Sequence, residues 1–129
     1  MNGVPLSENR LLIIDDEPQF GEIIGRVGKS LGFDVAITDQ PETFRCHLET
    51  FNPSVVTVDL MMPQIDGIEL LRELAARGCK ASILVASGID PRTLNTARHL
   101  GHELGLQIKG VIPKPFRVAD LRGILESLK

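Results

Sequence analysis

The sequence is poor in residues that several common classes of site require. Trp and Tyr are absent and aromatic residues make up only 4% of the chain, which argues against a flavin carrier, because such proteins stack the flavin ring on aromatic side chains. The two cysteines, Cys46 and Cys79, are distant in sequence and fit no CxxC pattern, so we predict no disulfide. The net charge of −3 provides no basic surface for nucleic acid, and we expect no direct nucleic-acid binding.

Long hydrophobic runs are missing as well. The longest uninterrupted runs have about four residues, whereas a membrane-spanning helix needs ~20. The first residues also lack the basic and then apolar pattern of a signal peptide. We therefore predict a soluble, cytoplasmic protein with no membrane contact. Its 129 residues and 43% hydrophobic content are typical of one globular domain.

Short apolar runs alternate with segments of helical periodicity along most of the chain. Residues 1–9 show no periodicity and are predicted to be a flexible lead-in to a domain at 10–129. Strands are predicted at 11–14, 33–37, 55–58, 83–86 and 111–112, each followed by a helix. Strict alternation predicts a doubly wound α/β fold with a parallel sheet and helices on both faces. Five strands and five helices fit the flavodoxin-like order 2-1-3-4-5, which places ligands where strands 1 and 3 end.

Reactive side chains follow four of the predicted strands. Asp15 and Asp16 follow the first, Asp59 the third, Ser87 the fourth and Lys114 the fifth. Because the carboxyl ends of parallel strands meet at one edge of the sheet, we expect these side chains to converge. Clustered carboxylates repel one another and any approaching phosphate unless a cation is bound. Hard oxygen ligands favour Mg²⁺ there, and Mn²⁺ could substitute.

The residue types at this edge suit the uptake of a phosphoryl group. Asp59 is the best candidate nucleophile, since a carboxylate facing a bound metal can attack phosphorus in line and form an aspartyl phosphate. We predict that Asp16 ligates the metal directly and that Asp15 helps through water. Lys114 would offer a compact positive charge and Ser87 a hydroxyl donor to the phosphoryl oxygens.

Two further features lie next to the predicted site residues. Glu17 is interpreted as a solvated charge in the first turn of a helix, where it complements the helix dipole, and it is left out of the predicted site. Met61 and Ile89 each stand two residues past a site residue. We predict that apolar side chains at these two positions shield the phosphoryl group from water and slow its loss.

These residues stand in motifs that resemble the receiver domains of two-component response regulators, over residues 10–129. The motifs are Ile-Asp-Asp-Glu at 14–17, Asp-Leu-Met-Met-Pro at 59–63 with Asp-Gly at 66–67, Ser87, and Lys-Pro-Phe at 114–116. The resemblance implies that Asp59 accepts a phosphoryl group from a sensor histidine kinase or phosphotransfer protein. It also implies that Asp16, Asp59 and the carbonyl of Met61 bind Mg²⁺, and that Lys114 precedes a cis bond to proline.

The same resemblance implies a signalling role in which the product is an altered protein surface. An effector domain or partner protein would read that surface, and the chain would be a monomer or weak homodimer. It would not be an enzyme beyond self-catalysed phosphoryl transfer onto Asp59 and slow autodephosphorylation. Two departures from the pattern stand out. Val111 occupies a position where relatives usually carry Tyr or Phe, and the stretch from Ser87 to Lys114 is longer than usual, which predicts a longer fourth helix or following loop around 101–110.

Three other functions share part of the pattern. Phosphohydrolases resembling haloacid dehalogenases carry two aspartates separated by one residue after strand 1, a spacing that is absent at 15–16 and 59–61. A flavin-binding carrier needs a Ser, Thr or Gly-rich phosphate loop after strand 1, whereas residues 15–18 would repel the phosphate. A phosphorylation-independent interaction module would keep every strand and helix. Only the intact acids, Ser87 and Lys114 argue against it.

Overall fold

Parallel strands form the central sheet. The computed structural model describes residues 8–88 and 90–129, so all but the end of the predicted lead-in lies outside the described residues. The strands in chain order are β1 (Arg10–Ile14), β2 (Asp34–Thr38), β3 (Val55–Val58), β4 (Met61–Met62), β5 (Ile65–Asp66), β6 (Ser82–Ser87) and β7 (Gln107–Pro113). The sheet has five strands in the order β2-β1-β3-β6-β7, while β4 and β5 form a separate antiparallel hairpin. If only the five strands of the sheet are numbered, their order is 2-1-3-4-5, which confirms the predicted flavodoxin-like fold.

Helices connect the strands of the sheet. They are α1 (Pro18–Ser30), α2 (Pro41–Thr50), α3 (Gly67–Ala76), α4 (Pro91–Glu103) and α5 (Val118–Ser127). Proline stands in the first turn of α1, α2 and α4, where its missing N–H costs nothing and its fixed φ suits a helix. Aspartate side chains cap the N-termini of α3 and α4. Asp66 Oδ1 accepts the N–H of Ile68 at 2.8 Å, and Asp90 Oδ1 accepts that of Thr93 at 3.0 Å.

The core lies on both faces of the sheet. Alternate residues of β1 and β3 point to opposite faces, so Leu12 and Val56 belong to one buried cluster and Leu11 and Val55 to the other. The first cluster is completed by side chains of α2, α3 and α4, and the second by side chains of α1 and α5. Burial on both faces explains why β1 and β3 read as continuous apolar runs.

The fifth strand of the sheet is longer than the sequence predicts. β7 begins at Gln107, four residues before the predicted start at Val111, and its first half alternates exposed Gln107 and Lys109 with buried Ile108. β7 is an edge strand, so one-sided burial replaces the apolar run that marks a central strand. The pairing with β6 shifts register near Ile83 and Leu84. The long stretch predicted around 101–110 therefore consists of the end of α4, a short turn and the first half of β7.

No helix within residues 8–88 and 90–129 is both long enough and apolar enough to cross a lipid bilayer.

A close backbone approach joins α3 to the residue after Asp59. A Cβ atom at Gly67 would lie 2.5 Å from the Cα of Leu60 and 2.8 Å from its Cβ. The first of these is a backbone atom, so the clash could not be relieved by a side-chain rotation. Only glycine therefore lets α3 start this close to the third strand's end.

We expect Gly67→Ala to lower the free energy of unfolding by about 1–3 kcal/mol, as overpacking usually does. Gly123→Ala on α5 is the matched control, because a Cβ there meets nothing within 4 Å. That change should raise the free energy of unfolding by about 0.5–1 kcal/mol, since alanine is the better helix former. Urea denaturation of both variants measures the difference, and equal effects of the two substitutions would contradict the packing at Gly67.

Candidate functional site

Asp15 and Asp59 lie side by side where the two central strands end. Ile14 of β1 pairs with Val58 of β3, and the ladder continues one step, because the Asp59 N–H donates to the Ile14 carbonyl at 3.1 Å. The Asp15 N–H similarly donates to the Thr38 carbonyl of β2 at 3.1 Å. Both aspartates are buried. The backbone of three neighbouring strands therefore fixes where these two carboxylates stand.

Four carboxylates gather at this edge of the sheet. Asp15, Asp16, Glu17 and Asp59 each offer an oxygen, and these oxygens all lie within 4.8 Å of one another. The predicted convergence of Asp15, Asp16 and Asp59 is therefore present in the structure. A set of this kind could hold a metal ion, and oxygen donors without His or Cys suit a hard divalent cation.

Lys114 reaches into the same group of acids. Its Nζ lies 2.7 Å from Asp15 Oδ2, 3.0 Å from Glu17 Oε1 and 3.3 Å from Asp59 Oδ2, and its side chain is only 3% exposed. Burial acts to lower the pKa of Lys114, but the contacts with these carboxylates outweigh it, and the pKa is raised. Lys114 is therefore a charged, buried ammonium held beside Asp59.

Ser87 and Lys114 are held together through their backbones. Ser87 ends β6 and is fully buried, and its carbonyl accepts the Lys114 N–H at 2.9 Å. Val58 pairs with Val85, so Ser87 lies on the strand next to β3 and two residues beyond that pair. The peptide bond between Lys114 and Pro115 is cis, as the resemblance had implied.

The residue two positions past Asp59 fixes its carboxylate. The Met61 N–H donates to Asp59 Oδ1 at 2.9 Å, which leaves Oδ2 facing Lys114. Met61 is 56% exposed, so its side chain lies at the surface rather than in the core. Ile89, the second predicted shield, lies outside the described residues.

Two of the four acids, Asp16 and Asp59, have raised pKa values. Burial raises the pKa of Asp59, and the charge of Asp15 adds to this, while the Met61 N–H and Lys114 oppose it. Burial also raises the pKa of Asp16, together with a hydrogen bond to Asp59 and the charge of that residue. The ionised form of each of these two carboxylates is therefore disfavoured in the metal-free site. Asp16 Oδ1 is buried and receives no hydrogen bond from the part of the chain that the structure describes. A cation would satisfy that oxygen, so the residues fit a metal.

Two contacts of the site were not predicted. Glu17 is the N-cap of α1 rather than a first-turn residue, and its half-exposed side chain accepts a hydrogen bond from Lys114 at 3.0 Å. Its interpretation as a solvated charge outside the site was wrong. Phe20, in the first turn of α1, places its ring centroid 4.6 Å from the Lys114 ammonium. The sequence does carry a signal for the position of Glu17. Proline is favoured as the first residue of a helix, so Pro18 indicates that Glu17 is the N-cap.

Known proteins share this fold and this sequence pattern. A family model described as the response regulator receiver domain matches residues 11–126. The response regulator MprA of Mycolicibacterium vanbaalenii is 28% identical over 119 residues, which are 92% of this chain and 49% of that protein. The DNA-binding response regulator MtrA of Mycolicibacterium smegmatis is 29% identical over 112 residues, 87% of this chain and 46% of that protein. The chain thus spans about half the length of these curated relatives.

A solved structure gives the same result at the level of the fold. The crystal structure of a response regulator from Colwellia psychrerythraea superposes with a TM-score of 0.78 at 30% identity, covering 95% of this chain and 97% of that one. The family model and this structure each extend over nearly all of the described residues. The chain therefore belongs to the receiver domains of two-component response regulators.

Proposed function

We propose that this receiver domain accepts a phosphoryl group on Asp59, with Mg²⁺ bound beside it, from a phosphohistidine of a sensor histidine kinase or phosphotransfer protein. One observation carries the proposal. Asp59 is a buried carboxylate with an oxygen 3.3 Å from the Lys114 ammonium and within 4.8 Å of oxygens of the neighbouring acids. A nucleophile, a metal-binding acid set and a fixed cation are what such a transfer requires. Family membership also disfavours a phosphorylation-independent interaction module.

The transfer exchanges one bond to phosphorus for another. A carboxylate oxygen of Asp59 attacks the phosphorus in line, the phosphorus–nitrogen bond breaks, and its electron pair stays on the imidazole nitrogen, which takes up a proton. The three equatorial oxygens carry the charge of a loose transition state. Lys114, whose ammonium already lies 3.3 Å from Asp59 Oδ2, would stabilise one of them, and the Ser87 hydroxyl would stabilise another.

The metal site would use the residues already gathered at the strand ends. Asp16 and Asp59 would bind Mg²⁺ directly together with the Met61 carbonyl, and Asp15 would help through water. Mn²⁺ could take the same place. The cation would supply the positive charge that lets an anionic phosphoryl donor approach four carboxylates. Asp15 would also bind the Lys114 ammonium in this arrangement, because its Oδ2 forms the shortest contact to Lys114 Nζ, at 2.7 Å.

The output would be a changed surface rather than a released product. We propose that residues 10–129 form the receiver unit and that an effector domain or partner protein reads its phosphorylated form in the cytoplasm, with the chain as a monomer or weak homodimer. Catalysis would be confined to uptake of the phosphoryl group by Asp59 and its slow loss. The DNA binding in the name of the relative MtrA belongs to a protein about twice as long, and we propose no direct nucleic-acid contact for the residues of this chain.

Incubation with acetyl phosphate and Mg²⁺ should add the mass of one phosphoryl group to the parent protein and none to Asp59→Asn, because the amide is not a nucleophile. Asp120→Asn is the matched control, since that aspartate is exposed on α5, and it should be phosphorylated like the parent. Intact-mass spectrometry measures all three. An adduct of equal size on Asp59→Asn would place the phosphoryl group elsewhere and end the proposal.

The raised pKa values of Asp16 and Asp59 predict that the stability of the protein depends on pH and on bound metal. The pKa values of Asp16 and Asp59 lie above the ordinary 3.8, so the metal-free protein should lose stability as the pH rises through those values. Asp16→Asn removes one charge and should raise Tm in EDTA at neutral pH. Mg²⁺ should raise the Tm of the parent, and by less as the pH is lowered, because protons compete for the ligands.

The control for this prediction is Asp39→Asn, an exposed aspartate outside the acid group. It should leave both the Tm in EDTA and the increase with Mg²⁺ unchanged. Thermal unfolding at several pH values, with and without Mg²⁺, gives the measurements. An Asp16→Asn protein that Mg²⁺ stabilises as much as the parent would remove Asp16 from the metal site.

The exposed Met61 side chain predicts a long phosphoryl lifetime. Met61→Asn would replace an apolar group near Asp59 with one that can orient water, so the phosphorylated variant should lose its phosphoryl group several-fold faster, as about 1 kcal/mol would produce. Met61→Leu is the control and should behave like the parent. Loss of the adduct mass with time measures both, and a Met61→Asn lifetime no shorter than that of the parent would count against the shield.

A further inference from the structure

An aromatic ring contacts the cation of the site. The centroid of the Phe20 ring lies 4.6 Å from Lys114 Nζ, within the distance at which a ring face attracts an ammonium. The Lys114 side chain is almost fully buried, so little water competes with this contact. None of the roles assigned so far to the acids, Ser87 or Lys114 involves Phe20.

The first turn of α1 presents two different partners to one ammonium. Phe20 stands three residues after Glu17, and its N–H donates to the Glu17 carbonyl at 3.0 Å, which closes the first turn. The N-terminus of a helix carries partial positive charge and repels a nearby cation. The Glu17 carboxylate and the negative face of the Phe20 ring both oppose that repulsion. The helix start therefore holds Lys114 although its dipole alone would push the ammonium away.

A second ring supports the first. The centroids of Phe20 and Phe116 lie 5.6 Å apart with an angle of 54° between the rings, a tilted geometry that aromatic pairs favour. Phe116 in turn packs against the buried cluster on the α1 and α5 face of the sheet. Phe116 also follows Lys114 by two residues, so the segment that carries the ammonium also braces the ring beneath it.

The distances within the site show what the ring could do. Lys114 Nζ lies closer to Asp15 and Glu17, at 2.7 and 3.0 Å, than to Asp59, at 3.3 Å. The nearer carboxylates compete with Asp59 for the ammonium and would draw it away from the position that a phosphoryl oxygen needs. A ring face restrains the ammonium without adding another negative charge beside Asp59.

We propose that Phe20 is a positioning residue, whose ring, braced by Phe116, holds the Lys114 ammonium in place for phosphoryl transfer to Asp59. The inference rests on the proposed function, because its benefit is a faster transfer. The contact itself does not depend on that function and can be tested without metal or phosphoryl donor.

The contact is tested by fluorescence, since the chain has no Trp or Tyr. Phe20→Trp would provide a single indole in a place where it still meets the ammonium. Its emission should differ from that of Phe20→Trp/Lys114→Met in EDTA. The matched pair is Phe51→Trp with and without Lys114→Met, because Phe51 packs on His47 at the end of α2. That pair should show equal emission, and equal emission in the Phe20 pair would overturn the contact.

The role is tested by the rate of phosphorylation with acetyl phosphate and Mg²⁺. Phe20→Leu should react about 3- to 10-fold more slowly, the range expected for loss of one cation–π contact. Phe20→Trp should restore the rate, and Phe51→Leu should match the parent. In a Lys114→Met background, Phe20→Leu should make no further difference, whereas a merely structural role would slow that variant as well.

The outcomes separate the two proposals. If the parent takes up phosphoryl groups and Phe20→Leu reacts at the parent rate, the positioning role is overturned and the proposed function stands. An equal slowing by Phe20→Leu with and without Lys114 also overturns the role, because the ring would then act through something other than the ammonium. If the parent is never phosphorylated, both proposals fail.

Discussion

The ammonium of Lys114 holds together a group of carboxylates that would otherwise repel one another. Asp15, Glu17 and Asp59 all contact it, at distances between 2.7 and 3.3 Å. One positive charge does not balance four acids, and the pKa values of Asp16 and Asp59 are raised, by burial first and by neighbouring carboxylates in addition. Among the described residues, Asp16 Oδ1 also has no hydrogen-bond partner, so a site with surplus negative charge and a buried free oxygen is suited to a cation.

The fold meets this constraint through strand ends and not through loops alone. Asp15 and Asp59 stand one residue beyond paired strands, and their own N–H groups continue the ladder. Lys114 is fixed in the same way through the carbonyl of Ser87. Behind them, Gly67 lets α3 press against Leu60, so the segment that follows the nucleophile cannot relax outward. Rigid backbone at each position allows charges to be held closer than flexible side chains would tolerate.

The sequence predicts those parts of the site that depend on central strands. β1 and β3 are buried on both faces, so their apolar runs were readable and the acids after them could be assigned to one edge. The first half of β7 was missed because an edge strand buries only alternate residues. Glu17 was left out of the site because the sequence does not show that Lys114, 97 positions along the chain, contacts its carboxylate. Phe20 could not have been found, since only the folded chain brings a ring of α1 over a lysine 94 positions away.

The absence of an aromatic residue at position 111 has a structural consequence. Val111 packs against the buried cluster that α2, α3 and α4 complete, whereas Phe116 packs against the cluster on the α1 and α5 face. An aromatic side chain at 111 would therefore join the site to the first face. In this chain the aromatic contacts that reach the site, Phe20 with Lys114 and Phe20 with Phe116, lie on the second face. These two rings therefore connect the ammonium of the site to the packing on the α1 and α5 face, because Phe116 packs against the buried cluster there.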